Sequence, residues 1–405
     1  MADMEFKRRL YDAMLDEHLA AYRQMAFVSG PRQVGKTTTC RRHADGHADW
    51  DNLDDRAQIL AGPARLVERL GLDRLTTHPP VALFDELHKY PRWKQLLKGF
   101  FDTYADRVRI IVTGSSRMDI YRRGGDSLMG RYFPYRMHPF SVAETLHQDL
   151  PDPGRLIRPC GKIRQTDFDA LWKHGGYPEP YIRRDSRFTN RWQSMRLQQL
   201  LRGDVRDLTN IRQIDQLEML VAMLSARSAR QLIYSNLARD VQVTVDTARR
   251  WIDALSGFHL GFRVRPWFKN VSRSLRKEPK WFLRDWAGIE DAGDRAETFV
   301  ACHLLKAVEG WTDLGYGKFQ LAYLRDKHQR EVDFAVIRDA KPWFLVEVKQ
   351  RGDAVGDALG YFQEQTGAPF AFQVVIEADP VDADCFARPR GPLVVPARTF
   401  LSQLL

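Results

Sequence analysis

Apolar and polar positions change their rhythm along the chain, and the changes mark out its parts. Short apolar runs at Met25–Val28, Val81–Phe84 and Val108–Val112 are each bounded by turn residues or charge. That pattern predicts buried parallel strands with helices between them. Pro151–Arg164 is rich in Pro, Gly and basic residues and reads as a linker. From Asp167 to Ser256 the pattern is helical, with few β-branched runs. Within it, Tyr234–Val241 followed by Thr244–Leu255 predicts a helix–turn–helix, with Thr244 as N-cap of the second helix. Val245, Ala248, Ile252 and Leu255 fall on one face of that helix, and Asp246, Arg249, Arg250 and Asp253 fall off it. Phe258–Asp285 turns aromatic and basic, with strand-like fragments. From Asp294 onward a helix is followed by strands and another helix. There is no internal repeat.

A length of 405 residues suits two or three domains, each able to bury a core. The pattern divides them at 1–150, 151–285 and 286–405, an α/β chain with a helical middle. No apolar run approaches the roughly 18 residues of a membrane span. The N-terminal stretch lacks an apolar leader core, which leads us to expect a cytoplasmic protein. Four scattered cysteines form neither a zinc spacing nor a disulfide framework, consistent with a reducing compartment. The net charge of +10 suggests an anionic partner. It is uneven: residues 261–285 carry eight basic side chains against two acidic ones, whereas residues 286–405 carry thirteen against eighteen. DNA bound through 261–285 is therefore the expected partner, with Arg263, Arg265, Lys269, Arg273, Arg276, Lys277 and Lys280 interleaved with Trp267, Phe268, Trp281 and Phe282.

The sharpest motif is Gly30-Pro31-Arg32-Gln33-Val34-Gly35-Lys36-Thr37, a complete G-x-x-x-x-G-K-[ST] between a strand and a helix. Such a loop lets backbone N–H groups curl around phosphate oxygens, with the helix start adding positive dipole. ATP would lie along Gly30–Thr38, with Lys36 on the β- and γ-phosphates and Thr37 on Mg²⁺. Asp85-Glu86, at the end of the second apolar strand, supplies a further Mg²⁺ ligand in Asp85 and a general base in Glu86. Beyond the third strand, Ser115 or Ser116 can sense the γ-phosphate, and Arg131 can neutralise transition-state charge, in cis or across a subunit interface of a homo-oligomer.

The ordered set GPRQVGKTT, NLDD (Asn52–Asp55), LFDELHK (Leu83–Lys89), TGSSR (Thr113–Arg117), GRYFPYRMHPFSVAE (Gly130–Glu144) and HGGYPEP (His174–Pro180) resembles a prokaryotic family. Its members are AAA-class P-loop ATPases fused to a C-terminal domain of unknown function. The resemblance covers nearly the whole chain. It implies an ATPase core, a winged-helix-like middle and a C-terminal domain similar to restriction-endonuclease-like nucleases.

The C-terminal third carries its own chemistry. Glu331-Val-Asp333-Phe-Ala-Val336 and Trp343-Phe-Leu-Val-Glu347-Val-Lys349 read as two strands of a hairpin turning at Arg338–Pro342. A pairing centred on Ala340 sets Asp333 opposite Glu347, with Cβ atoms about 5 Å apart. Two such carboxylates repel unless a cation joins them, so the pair predicts a Mg²⁺ site with Lys349 on the same face. The arrangement resembles the PD-(D/E)XK nucleases. That resemblance implies a further acidic ligand from a preceding helix, which Glu297 matches, although Val332 stands where proline is usual. The expectation is an ATPase acting on DNA, with Glu347 and Lys349 catalytic in a Mg²⁺-dependent nuclease-like lobe. A regulatory or defence switch whose lobe binds without cutting, or a protein-remodelling ATPase, are the alternatives.

Overall fold

The computed structural model describes residues 8–73, 76–114, 128–205, 211, 213–267, 278–352, 354–388 and 391–405. Ser115 and Ser116, and Phe268, Lys269, Arg273, Arg276 and Lys277 of the basic segment, lie outside the described residues. The chain forms two compact units, one of residues 1–138 with 147–150, the other of residues 139–146 with 151–405.

In the first unit, α1 (Leu10–Ala21) precedes β1 (Met25–Ser29), α2 (Lys36–Arg41), β2 (Gly46–Asp49), α3 (Leu53–Ala61), α4 (Pro63–Arg69), β3 (Val81–Asp85), α5 (Trp93–Tyr104), β4 (Arg109–Gly114) and β5 (Tyr132–Arg136). The sheet runs β2-β3-β4-β1-β5 with parallel pairing throughout. The expected apolar runs are β1, β3 and β4. They are buried on both faces, as crossover helices require. Phe27, Phe84, Leu97, Phe100 and Ile110 form the centre of the core. Parallel order sets the C-terminal ends of β1, β2 and β3 along one edge of the sheet, where ligands of such sheets bind.

The second unit holds α6 (Val142–Leu146), α7 (Gln165–His174), α8 (Pro178–Arg183), α9 (Ser186–Gln199), α10 (Ile214–Ser225), β6 (Arg230–Gln231), α11 (Tyr234–Asp240), α12 (Val245–Gly257), β7 (Gly261–Pro266) and β8 (Lys280–Leu283). It continues with α13 (Ala292–Asp313), β9 (Phe319–Arg325), β10 (Glu331–Arg338), β11 (Lys341–Lys349), α14 (Asp357–Thr366), β12 (Phe370–Val375), β13 (Leu393–Pro396) and α15 (Ala397–Ser402). Thr244 caps α12 as its sequence predicts, accepting from the Thr247 N–H at 3.2 Å. Ala248, Ile252 and Leu255 are buried with Trp251, but Val245 is exposed, because it is the first residue of the helix and overhangs its end.

One sheet spans this unit, in the order β13-β12-β11-β10-β9-β7-β8-β6. β7 pairs with β9 in parallel through Arg265↔Ala322 and Pro266↔Tyr323. The strands of the basic segment are thus continuous with the C-terminal sheet across the expected boundary at 285/286. The β10–β11 ladder runs Phe334↔Val346, which sets Asp333 against Glu347 as the pairing centred on Ala340 requires. The turn itself is only Asp339-Ala340, both at positive φ (48° and 67°), a two-residue hairpin loop. A register shift between Val336 and Ile337 reconciles that short turn with the pairing beyond it.

Candidate functional site

The phosphate loop leaves β1 at Ser29 and enters α2 through Gly35, whose φ of 101° is left-handed. Gly30 lies against the chain after β5: a Cβ there would sit 2.3 Å from the Met137 carbonyl oxygen. That contact is fixed, because the Met137 N–H donates to the Ser29 carbonyl at 2.7 Å. Lys36 is buried and folds back over the loop, its Nζ donating to the Gly30 and Pro31 carbonyls at 3.0 and 2.8 Å. Burial lowers its pKa, against the pull of Glu86 and Asp85. Incoming phosphate oxygens would take over those two hydrogen bonds and restore a full counter-charge. Arg32, Gln33 and Thr38 are exposed along the loop, whereas Pro31 and Val34 are buried.

Asp85 closes β3 and is buried. Burial alone would raise its carboxyl, but hydrogen bonds from His47, Thr113 and Thr37 outweigh it and bring the pKa down to about 2. Thr113 of β4 donates to Asp85 Oδ1. His47 Nε2 stands 3.8 Å from Asp85 Oδ2, and the β2–β3 register pairs Asp49 with Asp85. His47, Asp49 and Asp85 each offer one ligand atom, and these atoms lie within 4.8 Å of one another. A charged carboxylate beside Thr37 with two further ligands in reach fits a divalent cation. Thr37 and Asp85 would hold it, and it would neutralise developing phosphate charge. His47 and Asp49 carry no motif. The one signal in the sequence is their place in a short stretch just before NLDD.

Glu86 follows at φ 50°, an uncommon conformation for a non-glycine residue. Its Oε2 is buried, 3.4 Å from Lys89 Nζ and 3.8 Å from His88 Nε2, and makes no hydrogen bond. A carboxylate oxygen with that spare capacity can accept a water proton.

Arg131 is not brought to the loop. It precedes β5 at the opposite end of the strands, where its carbonyl accepts from the Met25 N–H at 2.8 Å. Its guanidinium holds Asp102 in a bidentate pair at 2.8 and 3.0 Å. A role for Arg131 on its own chain's phosphate is therefore corrected: the length of β1, about 13 Å, separates the two.

In the second unit, Glu297 of α13, Asp333 of β10 and Glu347 of β11 face one another, joined by Glu331. Burial, with the nearby Asp333 charge, raises Glu297 to about 8 and raises Glu347 as well. Lys349 Nζ donates to Glu347 Oε1 at 2.8 Å, and the Val348 N–H donates to Asp333 Oδ2 at 2.8 Å. The buried ammonium of Lys280 lies 2.6 Å from Glu331, 3.3 Å from Glu297 and 3.5 Å from Asp333. Among the described residues, the ligand atoms that converge within 4.8 Å belong to His47, Asp49 and Asp85, and not to this cluster. As placed, Glu297, Glu331 and Asp333 surround Lys280 while Glu347 holds Lys349, so Glu297, Asp333 and Glu347 do not fit Mg²⁺, whose oxygens stand about 2.1 Å away. The sequence offers Lys280 only as one cation of a basic run.

Two further cations of that segment also turn inward. Arg263 pairs with Asp253 at 2.6 Å, and Arg284 is buried over the Phe262 ring. Trp281 and Phe282 are fully buried core residues, so the interleaved aromatics here are packing.

Comparison with known proteins divides the chain into three. Residues 22–146 match an AAA domain, residues 165–289 a domain of unknown function (DUF8612), and residues 292–384 another (DUF4143). Uncharacterized proteins of Mycobacterium bovis and Mycobacterium tuberculosis are each 24% identical over 271 residues, 64% of this chain and 54% of theirs. The chain therefore spans about half the length of these curated relatives. The solved structure of C. elegans PCH-2 is similar at 15% identity over 61% of this chain and 65% of its own, with a TM-score of 0.22. No helix among the described residues is long and apolar enough to cross a membrane. Residues 22–146 are an AAA-class ATPase domain, and a DUF4143 domain follows it at the C-terminal end.

Proposed function

We propose that this chain binds and hydrolyses ATP and couples turnover to an action on DNA. Lys36 holds the β- and γ-phosphates, and Thr37 and Asp85 hold Mg²⁺. Glu86 takes the proton as water attacks the γ-phosphorus and the bond to the β-γ bridging oxygen breaks. The observation that carries this reading is the meeting of Lys36, Thr37, Asp85 and Glu86 at one end of the parallel strands, with Asp85 charged and Glu86 Oε2 free of hydrogen bonds. Lys36→Ala should lose nucleotide binding. Glu86→Gln should bind ATP and not turn it over. Full turnover by Glu86→Gln would remove the base assignment.

DNA as partner rests on the charge of residues 261–285. Its measure is the salt dependence of binding, with a slope of about 0.9 for each phosphate contact. For the C-terminal lobe, the position of Lys280 favours binding without cleavage over Mg²⁺-dependent nuclease action. Plasmid and single-stranded DNA should survive incubation with Mg²⁺ or Mn²⁺. Cutting that Glu347→Ala abolishes would restore the nuclease reading. ATP turnover stimulated by protein and not by DNA would favour remodelling instead.

A further inference from the structure

Lys280 is in an unusual place for a lysine. It opens β8, an interior strand held by β7 on one side and β6 on the other. Its ammonium is almost completely enclosed, with the Tyr323 ring 5.8 Å away and three carboxylates around it. A buried lysine normally loses its proton, because low dielectric penalises the charge. Here the opposite holds. Glu331, Glu297 and Asp333 close on the ammonium at 2.6, 3.3 and 3.5 Å and supply its counter-charge. The lysine is fixed in its charged form by the same oxygens that a metal would need.

The neighbouring charges are matched in the same way. Lys349 sits on Glu347, and Arg325 reaches Glu331 at 3.0 Å. Four carboxylates thus face three cations, all supplied by the chain. A divalent ion entering this set would meet an ammonium 2.6–3.5 Å from three of the four acids. Two cations cannot share that space in a low-dielectric setting.

We propose that Lys280 is a tethered counter-ion occupying the cation position of the carboxylate site, and that a divalent ion binds there only once Lys280 is removed. The proposal rests on the reading that the lobe is nuclease-like in its residues. It differs from that reading in what it measures, because metal occupancy is scored and cleavage is not.

The experiment counts bound Mn²⁺ by electron paramagnetic resonance on the full chain without nucleotide. All variants carry Asp85→Asn, to silence the ATPase site. The Asp85→Asn protein should bind no Mn²⁺ that depends on Glu347. Adding Lys280→Met should create one site per chain, at least tenfold tighter than any residual binding. Adding Glu347→Gln to that protein should abolish it, and Lys280→Arg in place of Lys280→Met should leave the site closed. A Glu347-dependent Mn²⁺ already present with Lys280 intact would overturn the proposal, as would a Lys280→Met chain that binds no more tightly. Should Lys280→Met fail to fold, amine labelling of the Asp85→Asn protein read by mass spectrometry decides. Lys280 should stay unreactive while exposed Lys327 reacts, and equal reactivity of the two would overturn the proposal. DNA cleavage by the Mn²⁺-loaded Lys280→Met chain is a separate readout that tests the nuclease reading alone.

Discussion

Gly30→Ala isolates the fit of the phosphate loop against the chain that follows β5. The added methyl would stand 2.3 Å from the Met137 carbonyl oxygen, a contact real Cβ atoms essentially never make. Neither partner yields easily, because both are backbone and the Met137 N–H is tied to Ser29. Gly30 also has φ 153°, a region that costs a residue with a Cβ about 1–3 kcal/mol. The chain escapes both penalties by moving the loop off its cradle, so the cost appears when nucleotide demands the loop back. At about 1.4 kcal/mol per tenfold, ATP affinity should fall about fivefold at the lower figure and about a hundredfold if the full strain is met. Gly62→Ala is the control. It too has positive φ, 101°, but nothing lies within 4 Å of its Cβ. It should cost about 1–3 kcal/mol of stability, because φ 101° with ψ 175° is a region essentially reserved for glycine, and leave affinity unchanged. Titration with a fluorescent ATP analogue, alongside thermal unfolding, reads both. Gly30→Ala with unchanged affinity and a stability loss equal to that of Gly62→Ala would refute the cradle.

Further predictions concern the second unit and the ATPase site. Lys306 and Glu144 form a buried ion pair, and Lys306 also donates to the Pro139 carbonyl at 3.0 Å. Lys306→Met should cost about 3–5 kcal/mol in urea unfolding, and Glu144→Gln in that background should recover part of it, giving a clear coupling energy. His303 is buried with both ring nitrogens engaged, Nδ1 at the Phe299 carbonyl and Nε2 accepting from the Val142 N–H. Burial lowers its pKa to about 3. The unfolded chain takes up this proton near the ordinary 6.5, so stability is full above that pH and falls as pH drops toward 3, by up to about 1.4 kcal/mol per pH unit. His303→Gln should flatten the urea midpoint between pH 7 and 5 relative to the native chain, and an unchanged slope would exclude His303. Thr244→Ala should lower stability by about 1 kcal/mol through the lost cap, with no effect on nucleotide binding. Chelation of Mg²⁺ should weaken ATP binding in the native chain and not in Asp85→Asn, read by the same titration.

The loop Gly30–Thr37 and Asp85-Glu86 were legible because their chemistry needs glycine, lysine and acid at fixed offsets beside a strand. The facing of Asp333 and Glu347 was legible because strand alternation and a hairpin leave few pairings. His47, Asp49 and Thr113 were not, because they converge through strand order, which no local pattern encodes. Arg131 misled for a related reason: sequence distance past β4 does not say at which end of the sheet a residue lands. Lys280 was read as one cation of a DNA-contacting run because such a basic run is normally exposed. Only the β7–β9 pairing shows that this run doubles back into the C-terminal sheet. The helical face of α12 was read correctly except at Val245, where the periodicity continues past the end of what the core covers.

The β7–β9 pairing also bears on where this chain can be cut. A fragment beginning at residue 286 would keep β9 through β13 but lose the strand that covers β9. Its Ala322 and Tyr323 would then present bare N–H and C=O groups on an apolar strand, the usual template for another chain to add itself. The same cut discards Lys280 and leaves Glu297, Glu331 and Asp333 repelling one another. An isolated C-terminal piece would be both sticky and over-charged, so the soluble fragment to make is one that starts ahead of β6.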